Sequence, residues 1–163
     1  FFCASRSLSR ARYPNWIQPT MPSVKFKLTT LGMEFPVLIG FDQVAMRAHQ
    51  TAGTPIPKPF AGSALVDTGS DLTCVSASLL QQIGSVKIAS HSTQTISGRQ
   101  YIDIFSLSLS IPSRQVAMFV VPTLIVMQLP TAIPNIDVLF GMDLLCQLRT
   151  MIDGPKGEFE FHY

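Results

Sequence analysis

Charge is scarce in this sequence. Only 13% of its 163 residues are Asp, Glu, Lys or Arg, against 47% hydrophobic, and the formal net charge is +2. So apolar a chain is not globally disordered, and the composition suits a compact, strand-rich protein or one with a large apolar subunit interface. The small net charge, with no Lys/Arg cluster interleaved with aromatics beyond the extreme N-terminus, sets nucleic acid aside as a partner. Cysteine is scarcer still. Cys3, Cys74 and Cys146 are odd in number and far apart, with no CxxC pair and no His-spaced partner for zinc, which suits a reducing, intracellular and cytoplasmic setting with each thiol as a small apolar packing residue and leaves room for one disulfide at most. His49, His91 and His162 show no metal spacing, and a Gly-x-Ser-x-Gly nucleophile turn is lacking, so neither a zinc nor a serine hydrolase has support and no metal or other cofactor is expected. The strongest apolar run, Val116 to Leu129, is broken by Pro122 and falls short of the ~20 residues that cross a bilayer, so no membrane partner is expected.

The length fits one domain. The first twenty residues carry Arg6, Arg10 and Arg12 among Ser5, Ser7 and Ser9 without a single acid, the composition of a basic arm, pro-segment or transit peptide, with a processed end as the plain alternative. Organelle targeting by this segment stays open. Residues 1–22 are therefore set apart as a basic extension, and 23–163 as the folded domain. Val24 to Thr29 alternates apolar and polar as a half-buried strand does. Met33 to Phe41 is a second apolar stretch, and the Pro55, Pro57, Pro59 loop between Ala52 and Gly62 leads to a short strand, Ala64 to Val66. Ser76 caps a helix of one or two turns that stops at Gly84. Strands over 92–97 and 101–111 form a hairpin with Gly98-Arg99 at its tip, the second arm carrying serines on one wet face. Val116 to Val121 is another strand, 122–134 an irregular excursion, and Met142 to Leu148 a late helix. Glu158 to Tyr163 closes the chain as a strand after the Asp153-Gly154-Pro155 turn. Short strands with modest helix content place the fold in the all-β class.

The chemistry sits at Leu65-Val66-Asp67-Thr68-Gly69-Ser70. Two apolar residues anchor a strand, Asp67 stands at its end, two hydroxyls follow, and Gly69 lets its N–H approach the carboxylate. Hydrolysis of a peptide without metal or covalent intermediate needs a base to take a proton from water and an acid to protonate the carbonyl oxygen. Two carboxylates about 3 Å apart, sharing one proton, do both.

This apolar-apolar-Asp-Thr-Gly-Ser string, continued by Thr73-Cys74-Val75 and a short helix, resembles the active-site motif of the aspartic proteases, and at this chain length their retropepsin branch. Val138-Leu139-Phe140-Gly141-Met142-Asp143-Leu144-Leu145 resembles the second fingerprint of that family, a strand that passes beneath the catalytic loop into a helix, and the Gly98 hairpin stands where the family carries its flap. The resemblance spans Val24 to Tyr163. It implies a retropepsin-like closed β-barrel or sandwich with one short C-terminal helix, and an aspartic endopeptidase with Asp67, Thr68 and Gly69 as catalytic residues and Ser70, Asp71, Ile96, Ser97, Gly98 and Leu139 at the polypeptide substrate. Because Asp-Thr-Gly occurs once, the second carboxylate comes from a second copy across a two-fold axis, making the enzyme a homodimer. The resemblance also assigns Thr68 to interlocking with its copy and Ser70 to a hydrogen bond on the outer carboxylate oxygen. Val66, Leu72, Ile96, Val138 and Leu139 line or support apolar subsites. Asp143 is read as an acid favoured by a helix N-terminus, and Asp137 and Asp103 as surface acids. Met142 replaces the Arg that retroviral relatives carry after the later Gly, and the flap holds one glycine. These departures sustain an alternative, a retropepsin-like dimerisation or peptide-binding module with little or no proteolysis.

Overall fold

The computed structural model describes residues 21–95, 98–113, 118–129 and 132–163. The basic segment 1–20 and the hairpin residues Ile96 and Ser97 lie outside them. In chain order the elements are β1 (Ser23–Lys27), β2 (Glu34–Phe41), α1 (Gln43–Thr51), β3 (Phe60–Val66), β4 (Cys74–Val75), α2 (Ala77–Ile83), β5 (Lys87–Thr95), β6 (Gly98–Ile111), β7 (Phe119–Gln128), β8 (Val138–Phe140), α3 (Met142–Leu145), β9 (Arg149–Asp153) and β10 (Glu158–His162).

Six strands close on themselves. The order β2-β3-β8-β4-β7-β6 returns to its start because β2 also pairs with β6, Leu38 opposite Ser110 to Phe41 opposite Leu107, while β5 hangs on β6 outside the ring. Closure pairs each ring strand on both sides over at least part of its length, and alternation fills its interior. Phe35, Val37 and Ile39 of β2 and Leu107, Leu109 and Ile111 of β6 are all at most 2% exposed, whereas Ser106, Ser108 and Ser110 point away half-buried. The serine face expected of the second hairpin arm is therefore present.

A separate three-stranded sheet, β1-β10-β9, closes one end. Phe26, Phe159 and Phe161 face inward from it onto Phe35 and Phe140, with ring centroids 5.0 Å apart for Phe35–Phe161 and 5.2 Å for Phe35–Phe140. Edge-to-face contacts of this kind add to the apolar burial.

Four stretches differ from the sequence reading. Helix α1 was not expected. Its cap is the buried Asp42, whose Oδ1 accepts the Ala45 N–H at 2.7 Å, but the helix buries none of its own residues, so the apolar stripe that announces a core helix is missing. Strand β7 runs straight through Pro122, where an irregular excursion was expected. Beyond β6, β7 meets only β4 among the described residues, at Met127 and Gln128, so Pro122 lies where no described strand pairs on that side, and the register slips beside it between Leu107 and Leu109. The late helix ends at Leu145 rather than Leu148. Strand β9, too short for a clear period, then pairs with β10. Among the described residues the short C-terminal helix α3 is present as expected and the helix capped by Ser76 is α2, so α1 is the addition.

Phe161→Ala should destabilise the fold by about 3–5 kcal/mol, since it empties the centre of the aromatic cluster. Urea denaturation followed by tryptophan-independent far-UV dichroism checks this, with Ile152→Ala as the exposed control expected to change little.

Candidate active site

Strand β3 enters the core between β2 and β8 and ends at Val66. Its last residues are held on both sides: the Val66 N–H donates to Met33 O at 3.0 Å, and the Asp67 N–H to Phe140 O at 3.0 Å. Asp67 is thus placed at the edge of the barrel, half-buried, with the exposed Thr68 and Gly69 beyond it. The turn folds back on its own carboxylate. Gly69 N–H donates to Asp67 Oδ1 at 2.8 Å, and a Cβ on Gly69 would lie 3.2 Å from that oxygen. The glycine is what admits the amide so close, as the sequence anticipates.

The second fingerprint meets this turn from below. A Cβ on Gly141 would stand 2.6 Å from the Leu72 carbonyl carbon and 2.8 Å from Thr73 N, distances that no real Cβ occupies. With glycine there, the Met142 N–H reaches Ser70 O at 2.8 Å and the Asp143 N–H reaches Asp71 O at 3.2 Å. The fully buried Thr73 completes the join. Its hydroxyl donates to Asp143 Oδ1 at 2.8 Å and accepts the Gly141 N–H at 3.2 Å, while the same Oδ1 accepts the Leu144 N–H at 3.0 Å. Asp143 therefore does favour the start of α3, as read from the sequence, and also fixes Thr73. Nothing in a linear reading pairs Thr73 with Asp143. The only signal was that each falls inside one of the two fingerprint strings.

Other sequence-selected residues are distributed as follows. Asp71 is exposed on the turn and Leu139 is half-buried in β8 opposite Leu65 and Cys74. Ser70 departs from the expected contact with Asp67: its hydroxyl donates to Leu72 O at 2.6 Å and lies 3.9 Å from Cys74 Sγ. Val66 and Leu72 are half-buried, but Val138 is wholly enclosed and belongs to the core. Gly98 opens β6 at φ 110°, opposite Thr95. From Gly98 to Asp103, β6 pairs only with β5 among the described residues, so this hairpin extends past the ring. Asp103 is the surface acid it was read to be, bound by Lys87 at 2.9 Å. Asp137 is instead structural, its Oδ2 accepting the Ser63 N–H at 3.1 Å across β3 and β8.

Cys74 is buried beneath the turn. Burial pushes its thiol above the usual range, the Ser70 hydroxyl pulls the other way, and the carboxylates of Asp67 and Asp143 add to the rise. A thiol held protonated is a packing group, not a nucleophile. Among the described residues no group of three or more His, Cys, Asp or Glu side chains is placed to hold a metal ion, and no helix is long and apolar enough to cross a membrane.

The sequence model of the aspartyl protease family matches residues 53–144, more than half of the chain and the whole stretch from the loop before β3 to α3. The chain belongs to the aspartyl protease family. The fold of this aspartyl protease family member is also found in the crystal structure of a retropepsin-like aspartic protease from Rickettsia conorii, with a TM-score of 0.55 and 15% sequence identity over 88% of this chain and 92% of that one. No curated protein matches it in sequence.

In this family member Gly141→Ala should cost at least about 1–3 kcal/mol, because the methyl group meets backbone rather than a yielding side chain. Thr73→Val should cost about 1–3 kcal/mol by leaving the buried Gly141 amide without its acceptor and taking one of two donors from Asp143 Oδ1, and Thr73→Ser, which keeps the hydroxyl, far less. Equilibrium urea denaturation of the three variants separates these effects.

Proposed function

We propose that this chain is an aspartic endopeptidase that works as a symmetric homodimer, one Asp67 from each copy. The observation that carries the reading is the placement of Asp67: an accessible carboxylate on a turn braced by Gly69, Phe140 and the Gly141 segment, with Thr68 exposed beside it. That brace suits a group that must keep its orientation while charge moves.

The family chemistry supplies the mechanism. One carboxylate, ionised, takes a proton from a water held between the pair, and the water oxygen bonds to the scissile carbonyl carbon. The other carboxyl gives its proton to the carbonyl oxygen. The carboxyl that took the water's proton then passes it to the amide nitrogen, the C–N bond breaks as one hydroxyl of the adduct gives its proton to the other carboxylate, and the pair returns to one shared proton. In this reading the β5–β6 hairpin, including Ile96, Ser97 and Gly98, covers an extended substrate, while Ser70, Asp71 and Leu139 flank it. Added peptide strands are recognised through their main chain in this mode, with alternate side chains in pockets. The half-buried Val66, Leu72 and Leu139 favour hydrophobic side chains there.

Wild type should cleave a mixed peptide library between pH 4 and 8, and Asp67→Asn should lower the rate by at least about 10²–10⁴-fold while remaining folded. Specific activity should also fall on dilution, as a dimer that dissociates requires. Undiminished cleavage by Asp67→Asn would sink the mechanism; peptide binding by a dimeric wild type without any cleavage would assign the chain to a binding module instead.

A further inference from the structure

Positive charge avoids the site. Residues 59–86, which form β3, the Asp67 turn, β4 and α2, contain Asp67 and Asp71 but no Lys, Arg or His, and residues 118–148, which form β7, β8 and α3, contain Asp137 and Asp143 and again no cation. The β1–β2 loop over 28–33, whose Met33 O accepts the Val66 N–H, has none either. All twelve Lys and Arg lie outside these stretches, in a chain whose net charge is nevertheless +2. Elsewhere acids are matched by cations: Lys27 lies 2.7 Å from Glu158, Lys87 2.9 Å from Asp103 and Lys156 2.8 Å from Asp153.

Among the described residues Asp67, Asp71 and Asp143 take part in no ion pair. Two of the three are otherwise engaged. Asp67 Oδ1 accepts the Gly69 N–H, and Asp143 Oδ1 holds Thr73 and the start of α3. Asp71 is exposed, and although its main-chain oxygen accepts the Asp143 N–H, its carboxylate has no hydrogen-bond partner among the described residues. It follows Asp67 by four residues, a span of at most about 14 Å, and the Ser70 N–H to Asp67 O bond at 3.3 Å folds the turn shorter still. An extended substrate advances about 3.3 Å per residue, so a side chain within about four residues of the scissile bond covers that distance.

We propose that the cleavage sites of this chain carry a Lys or Arg a few residues from the scissile bond, and that Asp71 is the specificity-determining residue that receives it. The proposal rests on the preceding reading and names the substrate class within it: polypeptides apolar at the cleaved bond and cationic beside it. Contacts to a substrate main chain are indifferent to side-chain charge. An unpaired carboxylate at the rim of a cleft lined by one sign of charge is not, since it attracts cations and repels acids. A second copy contributes the same cation-free segments, so pairing brings two Asp71 carboxylates to the cleft and no counter-ion from these segments. One exposed ion pair is weak. The choice between Lys and Glu at one position, however, counts attraction and repulsion together.

Matched peptides with Lys, Gln or Glu at each position flanking an apolar cleavage site, out to about four residues, test this through ratios of kcat/KM. At the best position wild type should cleave the Lys peptide at least about fivefold better than the Glu peptide at low salt. The preference should shrink in about 0.5 M NaCl, where screening shortens the reach of the charge. Asp71→Asn should bring the Lys/Glu ratio to within about twofold of unity, whatever it does to the absolute rates, and Asp71→Lys should invert it. Wild type that cleaves through Asp67 but treats Lys and Glu peptides alike, or Asp71→Asn that keeps the wild-type preference, overturns the inference and leaves the protease reading intact. Should the Asp71 variants fold poorly, a wild-type preference that salt does not change overturns it equally. If a dimeric wild type cleaves none of the peptides, the protease reading falls, and the Kd values of the labelled Lys and Glu peptides, read by fluorescence anisotropy, decide the charge preference: equal values overturn it.

Discussion

At the centre of the site two backbones touch. Gly141 lies against the Leu72–Thr73 peptide so closely that a Cβ would be 2.6 Å from the Leu72 carbonyl carbon, and the other contacts around the Asp67 turn follow from that approach. Only with the segments this near can the Thr73 hydroxyl bridge Gly141 N–H and Asp143, and only then do Met142 and Asp143 present their amides to the carbonyls of Ser70 and Asp71. These are the groups a helix start leaves unpartnered. Here the orphan donors of α3 satisfy the orphan acceptors of a turn, so one close packing solves two problems of backbone accounting.

The cost of this arrangement is its sequence separation. Thr73 and Asp143 are 70 residues apart, and between them the chain forms α2, the β5–β6 hairpin and β7. Order at the Asp67 turn therefore depends on ring closure, not on local propensity, and non-local contacts of that kind form late in folding. Considered alone, the turn holds short-range contacts such as Gly69 N–H to Asp67 Oδ1, Ser70 N–H to Asp67 O and the Ser70 hydroxyl to Leu72 O.

This explains what the sequence makes legible. The end of β3 at Val66, the Ser76 cap and the Asp-Thr-Gly-Ser turn are local features with local signals, and they lie where turn chemistry puts them. Gly141 stands out as the glycine of a recognisable string, but its reason is a steric contact that no linear pattern displays. The same limit hides Thr73 and turns Ser70 from Asp67 to Leu72 O, since a hydroxyl on a tight turn bonds whichever carbonyl the backbone brings nearest. Pro122 misleads for the converse reason: proline ends a central strand, and only the sheet order reveals that no described strand pairs with β7 on that side of it. Helix α1 and strand β9 share one cause of invisibility, because each exposes the side that would carry a hydrophobic period.

The fold also separates folding from assembly. β1 and β10 of the same chain cover Phe35 and Phe140, so the apolar core is complete within one copy. A single chain thus has a closed barrel and buried aromatics to hold it folded, and Thr68 is exposed on its Asp67 turn. In the proposed homodimer, association would contribute little to the stability of the core and bear mainly on bringing the two carboxylates together. Were the proposed homodimer to form, concentration would set activity without setting the folded fraction.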